Sequence, residues 1–200
     1  MNTLEALFKH FNNINVLIVG DVMIDSYLWG SVDRISPEAP VPVVRITNEF
    51  SQLGGAGNVA RNVSSLGASV TFFSVIGSDR AGKEVSDLLG QLNTVEPFLR
   101  VTADRETTIK NRFFSADGHH LLRADRETVM PLTQADEDDL GLSLALEIEK
   151  ADAVLLSDYG KGVITDVAPR RTKLSRRAAG AKPIEQVLVA NADQVIPMFS

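Results

Sequence analysis

The sequence contains no cysteine and no long uninterrupted run of apolar residues. Without cysteine the chain has no disulfide framework, no thiolate metal site and no thiol nucleophile, which is typical of a reducing compartment such as the cytoplasm. The longest apolar run, Ile14 to Val19, is interrupted by Asn15 and ends at Gly20 and Asp21. Because a membrane-spanning helix needs about 20 apolar residues, we expect a cytoplasmic protein with no membrane partner.

Glycine, proline and aromatic residues are also sparse. The 200 residues include 14 glycines and 8 prolines, and aromatic residues make up 6%. These values exclude a collagen-like or low-complexity chain, while 44% hydrophobic and 23% charged residues are typical of globular domains. A chain of this length buries roughly 70% of its unfolded surface, so we expect a packed hydrophobic core.

The net charge of −6 is unevenly distributed along the chain. Residues 167–200 contain six basic and two acidic side chains, which gives +4, so residues 1–166 carry −10. A basic end of this kind is found in nucleic-acid-binding segments, and it is also found where two unrelated segments join. Charge alone leaves both interpretations open.

Hydrophobic periodicity predicts alternating strands and helices. The predicted strands cover 16–19, 41–46, 70–76, 107–114, 119–123 and 153–156, and the predicted helices cover 57–66, 83–92 and 133–150. Asp117-Gly118 favours a tight hairpin turn, and Pro40 and Pro42 restrict their strand to a sheet edge. Strands that alternate with helices predict a doubly wound, mostly parallel α/β sheet, to which the hairpin and the edge strand add a small antiparallel flap.

Polar residues that follow the apolar strands are candidates for a binding site, because open α/β sheets bind ligands at the carboxyl ends of their strands. Asp21 and Asp25 follow the first strand, the segment 77–79 follows a later strand, and the segment 157–162 follows the last strand. A carboxylate such as Asp25 can accept hydrogen bonds from two neighbouring hydroxyls. This chemistry suits a polyol ligand.

A glycine-rich turn precedes the first predicted helix. Gly54, Gly55 and Gly57 allow close approach of the backbone to a ligand, and the helix start offers free amides. The Asn58 side chain both donates and accepts hydrogen bonds, which suits a sugar. A tight turn that binds no ligand would explain the same glycines.

The same turn matches the dinucleotide fingerprint in part. Gly55, Gly57 and Ala60 have the required spacing, and Asp79 follows about 20 residues later. However, the fingerprint should begin at the end of a buried strand, and the half-polar segment 48–53 intervenes here. A nicotinamide-dependent oxidoreductase is therefore the second hypothesis.

The glycine-rich turn, extended to later glycines, resembles the amino-terminal signature of the ribokinase-like (PfkB) carbohydrate kinases. The matching residues are Gly54, Gly55, Gly57, Asn58, Ala60, Gly67 and Gly77. Within this family, further segments are similar to the branch of heptose 7-phosphate kinases that feed ADP-heptose and lipopolysaccharide synthesis: 20–25, 34–43, 107–110, 121–125 and 157–162. The resemblance covers roughly residues 10–166.

This resemblance implies a doubly wound domain with a β-sheet lid over a sugar site. It implies that Asp25, Gly54, Gly55 and Asn58 bind the sugar hydroxyls, and that the intact enzyme uses ATP and Mg²⁺ to phosphorylate a sugar phosphate. It also implies a homodimer formed through the lid.

Three cations, Lys110, Arg112 and Lys161, are candidates for the substrate phosphate. Their physical basis is that a phosphate needs neutralising cations and that arginine offers a fork of donors. Solvated charges at a strand edge would explain Lys110 and Arg112 equally well. His119 and His120 are interpreted as hairpin residues, and no metal site is predicted.

The family's catalytic Gly-Ala-Gly-Asp segment has no counterpart after Gly77, and no Walker-type segment replaces it. Residues 167–200 resemble a fragment of the ribosome-small-subunit-dependent GTPases. We therefore expect a truncated kinase domain over 1–166, with no catalytic residue of its own, joined to an unrelated basic tail over 167–200. A third hypothesis is an RNA-associated or ribosome-associated module that acts through 170–182, although basic residues without aromatics are a weak RNA signal.

Overall fold

A computed structural model of the protein describes residues 11–164 and 187–191. In chain order the elements are β1 (Asn15–Gly20), β2 (Val22–Ile35), β3 (Pro42–Gly55), α1 (Ala56–Ser65), β4 (Ser69–Gly77), α2 (Arg80–Gly90), β5 (Val95–Thr102), β6 (Thr108–Ser115), β7 (His120–Arg126), α3 (Gln134–Glu147), a 3₁₀ turn (Ile148–Lys150), β8 (Ala153–Asp158) and β9 (Val187–Asn191). The strands form two separate sheets.

The larger sheet has five parallel strands in the order β5-β4-β1-β8-β9. Its central strand β1 alternates its side chains between the two faces. Val16 and Ile18 pack with α1 and α2, whereas Leu17 and Val19 pack with α3. Because both faces are covered, the strand is apolar throughout, as parallel strands usually are.

The smaller sheet has four strands in the order β3-β2-β6-β7. β2 pairs antiparallel with β3, and β6 pairs antiparallel with β7, but β2 and β6 run parallel. We call it the mixed sheet. Only Asp21 separates β1 from β2, so the chain passes directly from one sheet into the other.

Side-chain caps begin two of the helices. Asp79 accepts a hydrogen bond from the Gly82 amide (2.7 Å) at the start of α2. Thr133 accepts one from the Asp136 amide (3.2 Å) at the start of α3, where acidic residues also complement the helix dipole. The helix predicted to start at Thr133 is therefore confirmed.

The structure confirms the predicted doubly wound parallel sheet, but the prediction for the small antiparallel flap needs correction. The flap is larger than predicted and is not wholly antiparallel, because β2 joins it and runs parallel to β6. The half-polar segment 48–53 belongs to β3, which continues without interruption to Gly55 and is buried only in its last three residues. β3 is nevertheless an edge strand, as Pro40 and Pro42 predicted. The hairpin turn at Gly118, where φ is 88°, is also confirmed.

The predicted joint near residue 167 and the basic residues 170–182 lie outside the described residues. β9 pairs in parallel with β8, with Val154 opposite Val187. In the described part of the chain, no helix has the length and apolar character needed to cross a bilayer.

Candidate functional site

Five side chains from three strands lie on one face of the mixed sheet. Asp25 on β2 stands opposite Gln52 on β3 and Lys110 on β6. Two residues further along, Tyr27 stands opposite Arg112 on β6. Because alternate residues share a face of a strand, these side chains lie together, and we call this surface the site face.

Asp25 and Arg112 form the central ion pair of the site face. Arg112 Nη1 donates a hydrogen bond of 2.6 Å to Asp25 Oδ1, and the guanidinium lies 5.3 Å from the centre of the Tyr27 ring. The two charged side chains are only 17% and 23% exposed. A charge-assisted bond at this depth holds the carboxylate in a fixed orientation.

Gly54 and Gly55 provide the space that Asp25 needs. A Cβ atom on Gly54 would lie 2.6 Å from Asp25 Oδ2, so any side chain there would displace the carboxylate. Gly55 has a φ of 55°, in the left-handed region that favours glycine, and a Cβ there would collide with the Asp21 carbonyl. The two glycines therefore allow β3 to end against β2 and α1 to begin beside Asp25.

Asn58 lies in the first turn of α1 and is bound by Arg61, one turn later. Arg61 Nη2 donates to Asn58 Oδ1 (2.7 Å), and Nη1 donates to Gln52 Oε1 (3.0 Å). Gln52 Nε2 in turn donates to the Tyr27 hydroxyl (3.3 Å). This chain of hydrogen bonds connects Asn58 with the side chains around Asp25.

Sequence reasoning missed Arg61. The available signal was its spacing of three residues from Asn58, which places both side chains on one side of a helix. Gln52 was missed for a different reason, because the segment that contains it was not predicted to be a strand.

The two lysines predicted to bind phosphate are each paired with a carboxylate. Lys110 Nζ lies 3.7 Å from an Asp125 oxygen, and Lys161 Nζ lies 2.9 Å from Glu127 Oε2. Both lysine side chains are largely buried, at 18% and 16% exposed. Lys110 lies on the site face, whereas Lys161 lies in the turn after β8.

Asp21 holds the turn that carries Lys161. Its carboxylate accepts hydrogen bonds from the backbone amides of Tyr159 (2.8 Å), Lys161 (3.1 Å) and Val163 (3.0 Å). The residue is 1% exposed, and this burial raises the pKa of Asp21, although the three amides partly offset the effect. Asp21 is therefore a structural anchor, and Asp25 is the aspartate available to a ligand.

The same turn lies close enough to the site face to respond to its charge. Burial raises the pKa of Tyr159, and the negative charges of Asp25 and Asp21 raise it further. Asp21 after β1 and the turn after β8 therefore lie together at the carboxyl ends of two neighbouring parallel strands.

A row of aromatic rings extends the site face away from the parallel sheet. Tyr27 stacks against Trp29, Phe50 and Phe114 with ring centroids 5.6–6.2 Å apart. Trp29 and Phe114 also stack on each other at 5.7 Å. The surface beside Asp25 is therefore apolar and flat, and the sequence analysis did not predict it.

The opposite face of the mixed sheet borders a separate cleft of about 280 Å³. It lies between the sheet and the start of α2, and its charged lining residues are Glu49, Asp79, Arg80, Glu84, Glu106 and Arg126. Because its four carboxylates outnumber its two guanidinium groups, this cleft has a net negative charge and is less favourable for a phosphate than the site face.

Asp79 does not have the free carboxylate that a dinucleotide ribose requires. Its Oδ1 accepts from the Gly82 amide (2.7 Å) and its Oδ2 accepts from the Thr107 amide (2.8 Å). Burial acts to raise its pKa, but these amide hydrogen bonds outweigh burial and lower it. Asp79 is thus a helix cap that also anchors the loop before β6.

Family comparison gives one match over most of the chain. The model of the "pfkB family carbohydrate kinase" matches residues 13–194. Among curated proteins, the chain is similar to the "Bifunctional protein HldE" of Acidiphilium cryptum, with 46% identity over 181 residues, and to that of Rhodospirillum rubrum, with 50% identity over 161 residues. These alignments cover 88% and 80% of this chain but 36% and 32% of the two proteins, so the chain spans about a third of their length.

Solved structures show the same fold at lower sequence identity. The chain is similar to a carbohydrate kinase from Agrobacterium tumefaciens (TM-score 0.61, 20% identity, covering 89% of this chain and 53% of that one). It is also similar to Arabidopsis thaliana ribokinase complexed with ribose and ATP (TM-score 0.57, 17% identity, covering 89% and 53%). At these identities the likeness concerns the fold alone, which is ribokinase-like.

Proposed function

This chain belongs to the pfkB family of carbohydrate kinases, and we propose that it forms the sugar-binding part of an ATP-dependent sugar-phosphate kinase. The proposed substrate is heptose 7-phosphate and the product is heptose 1,7-bisphosphate, a precursor of ADP-heptose. The observation that carries the proposal is the Asp25 carboxylate, which Arg112 fixes beside Gly54. A separate chain of hydrogen bonds links Asn58 through Arg61 and Gln52 to the neighbouring Tyr27.

The site residues divide the work of binding the sugar. Asp25 accepts hydrogen bonds from neighbouring hydroxyls, while the buried Gly54 leaves room for its carboxylate and the buried Gly55 allows α1 to begin beside it. The Asn58 amide nitrogen donates, because its oxygen is already bound to Arg61. The Tyr27 ring and its stacked neighbours offer an apolar surface to the carbon face of the sugar.

Lys110, Arg112 and Lys161 are proposed to contribute positive charge toward the phosphate of the substrate. In the structure each of them contacts a carboxylate, so a phosphate would have to share or displace that partner. Lys161 would be held in position by the anchored turn, because Asp21 binds the Lys161 amide.

The family's catalytic segment has no counterpart in this sequence. Within residues 11–164, no group of three His, Asp or Glu side chains could hold a metal ion, and the 200 residues contain no Gly-Ala-Gly-Asp segment. We therefore propose that this chain binds the sugar phosphate and does not transfer a phosphoryl group by itself.

A homodimer through the mixed sheet belongs to the same proposal. Phe50 on the aromatic row is 47% exposed, and Val32, Ile35 and Ile46 are also exposed near the far end of β2 and β3. An apolar surface of this kind is typical of a protein contact. Sedimentation velocity should show a dimer for the wild-type chain and a monomer for Phe50→Ser. A wild-type chain that is still monomeric at a concentration of about 100 μM would contradict the dimer.

The proposal is tested by calorimetric titration of the chain with heptose 7-phosphate. We expect saturable binding that weakens by about 10- to 100-fold in Asp25→Asn, because a charged hydrogen-bond acceptor is lost. Gly54→Ala should weaken binding similarly, since its Cβ displaces the carboxylate.

Asp33→Asn is the matched control, because Asp33 lies on the same strand but is 65% exposed and pairs with Arg45 away from the site. Absence of heptose 7-phosphate binding, or equal weakening of that binding by the control substitution, would contradict the sugar site.

Saturable NADH binding would favour the oxidoreductase instead. ATP-dependent turnover by the 200-residue chain would contradict the proposed lack of catalysis.

A further inference from the structure

The cations around the site face differ in what they contact. Lys110 and Arg123 both lie within 4 Å of Asp125, at 3.7 Å and 3.1 Å, and Arg112 is bound to Asp25. Each of these positive charges is therefore largely neutralised before any substrate arrives. A phosphate that approached them would compete with a carboxylate already in place.

Arg61 is different, because its guanidinium contacts only neutral groups in the described part of the chain. Its two recorded partners are the side-chain oxygens of Asn58 (2.7 Å) and Gln52 (3.0 Å). The residue is only partly exposed, so solvent screens its charge less than that of a fully exposed arginine. A cation in this position retains its full attraction for an anion.

The guanidinium also has donors to spare. Arginine carries five N–H donors, and the contacts with Asn58 and Gln52 use one from Nη1 and one from Nη2. The remaining three can bind the oxygens of a phosphate in the forked geometry that arginine favours. Its two amide partners hold the side chain in place, which reduces the entropy lost when a ligand binds.

The location of Arg61 fits a ligand on the site face. Gln52, to which it is bound, is the cross-strand neighbour of Asp25, and Asn58 is a proposed ligand of the sugar hydroxyls. Arg61 lies on α1, which begins five residues earlier, so an anion bound there would lie at the border of the proposed sugar site.

We infer that Arg61 contributes most to the recognition of a phosphate ester on the bound sugar, while Lys110, Arg112 and Lys161, which are already paired with carboxylates, contribute less. This inference rests on the proposed function and deepens it, because it assigns most of the distinction between a phosphorylated and an unphosphorylated sugar to one side chain. Asp25 and Asn58 bind the hydroxyls that both sugars share, and Arg61 binds the group in which they differ.

The test compares two ligands on the full 200-residue chain, namely heptose 7-phosphate and the same heptose without phosphate. The wild-type chain should bind the phosphorylated sugar about 10- to 100-fold more tightly, the range expected for charged hydrogen bonds. Arg61→Met should remove most of this preference, because the phosphorylated sugar should lose more affinity than the unphosphorylated heptose, which is affected only through Asn58. Arg61→Lys, which keeps the charge without the fork, should retain part of the preference.

Arg80→Met is the matched control, because Arg80 is an exposed arginine at the start of α2 and lies outside the site face. It should leave both affinities unchanged. Circular dichroism of each variant verifies the fold, and Arg61→Lys provides the result if Arg61→Met does not fold.

The outcomes separate the inference from the proposed function. If the wild type binds neither sugar, the sugar site itself is wrong, and the role of Arg61 is wrong with it. If the wild type binds both sugars equally, the sugar site stands and the inference is overturned. The inference is also overturned if Arg61→Met has no effect or weakens both ligands equally, since equal weakening would mean that Arg61 only positions Asn58.

Discussion

The two sheets of this protein are stabilised in different ways. The parallel sheet is covered on both faces, and its central residues, such as Leu17, Ile18 and Phe72, are fully buried. The mixed sheet has one polar and aromatic face that remains partly open, and β7 is exposed along its whole length. The first sheet is stabilised by apolar burial on both faces, whereas the second buries apolar residues such as Ile24 and Leu53 and adds cross-strand ion pairs on its more open face.

Two aspartates four residues apart show what this difference means for function. Asp21, at the end of the parallel sheet, is 1% exposed and has three backbone donors. Asp25, in the mixed sheet, is 17% exposed and has one oxygen bound by Arg112, while its other oxygen faces the space left by Gly54. The Asp21 carboxylate is therefore held rigidly at the end of the parallel sheet, whereas the Asp25 carboxylate on the mixed sheet remains partly exposed.

The largest difference between the sheets should appear when one phenylalanine is removed from each. Phe72→Ala should lower the free energy of unfolding by about 3–5 kcal/mol, because Phe72 is fully buried in the core of the parallel sheet. Phe50→Ala should cost less than about 1 kcal/mol, because nearly half of this side chain is exposed. Urea unfolding measures both values, and equal losses would contradict the contrast between the sheets.

A smaller but still substantial effect is expected for Asp21→Ala. The substitution leaves three backbone amides without their acceptor, and we expect a loss of about 2–3 kcal/mol in unfolding free energy. Asp25→Ala should destabilise the protein less, while it removes the proposed sugar binding. A greater loss of stability in Asp25→Ala than in Asp21→Ala, measured by urea unfolding, would reverse the roles assigned to the two residues.

The third prediction concerns pH and the helix that covers the parallel sheet. Hydrogen bonds from the Thr133 hydroxyl and from Arg100 hold the pKa of Asp136 below its ordinary value. The stabilisation is therefore present above the unfolded pKa of about 3.9 and is lost as the pH falls through the lower, folded pKa. Asp136→Asn should cost about 1–2 kcal/mol at pH 7.

At pH 3, the difference in unfolding free energy between the wild type and Asp136→Asn should be smaller than at pH 7. Glu149→Gln, a change of an exposed carboxylate just beyond α3, is the control and should show no such narrowing. A difference that stays constant between pH 7 and pH 3 would mean that the charge of Asp136 contributes nothing.

The smallest effect is expected at the outer end of the mixed sheet. Arg45 and Asp33 form an ion pair at 3.0 Å, but their side chains are 75% and 65% exposed. Arg45→Ala should change the unfolding free energy by less than about 0.5 kcal/mol, because solvent screens such pairs. A loss above 1 kcal/mol would show that this end of the sheet is held more firmly than its exposure indicates.

The sequence predicted strands with continuous apolar runs better than strands without them, and it missed β5 of the parallel sheet, which is mostly exposed or half-buried. Strands such as β1 and β4 are buried on both faces and appear as apolar runs, and the predicted ranges 16–19 and 70–76 agree with the structure within one residue at each end. In β2 and β3, polar site residues replace the apolar pattern. β2 was therefore missed, and β3 was predicted to end near Ile46 although it continues to Gly55.

The candidate site was predictable only in part. The glycine turn and the strand-end rule led to Asp25, Gly54 and Asn58, because both signals are local in sequence. The contact of Asp25 with Arg112 joins residues 87 positions apart and depends on the pairing of β2 with β6. Local pattern cannot predict such a contact, and it also cannot predict which cations are already neutralised by carboxylates. These roles for the site residues stay predictions until binding is measured.

The anchoring of Asp21 also has a consequence for how the chain acquires its structure. Its three hydrogen-bond donors lie 138 to 142 residues downstream, so they reach the carboxylate only after β8 has joined β1. Contacts of such high sequence separation slow folding, because the chain loses the entropy of closing a long loop before these contacts can form. On a ribosome, the Asp21 carboxylate therefore stays hydrated until almost all of the described chain has been synthesised and the turn after β8 can replace its water.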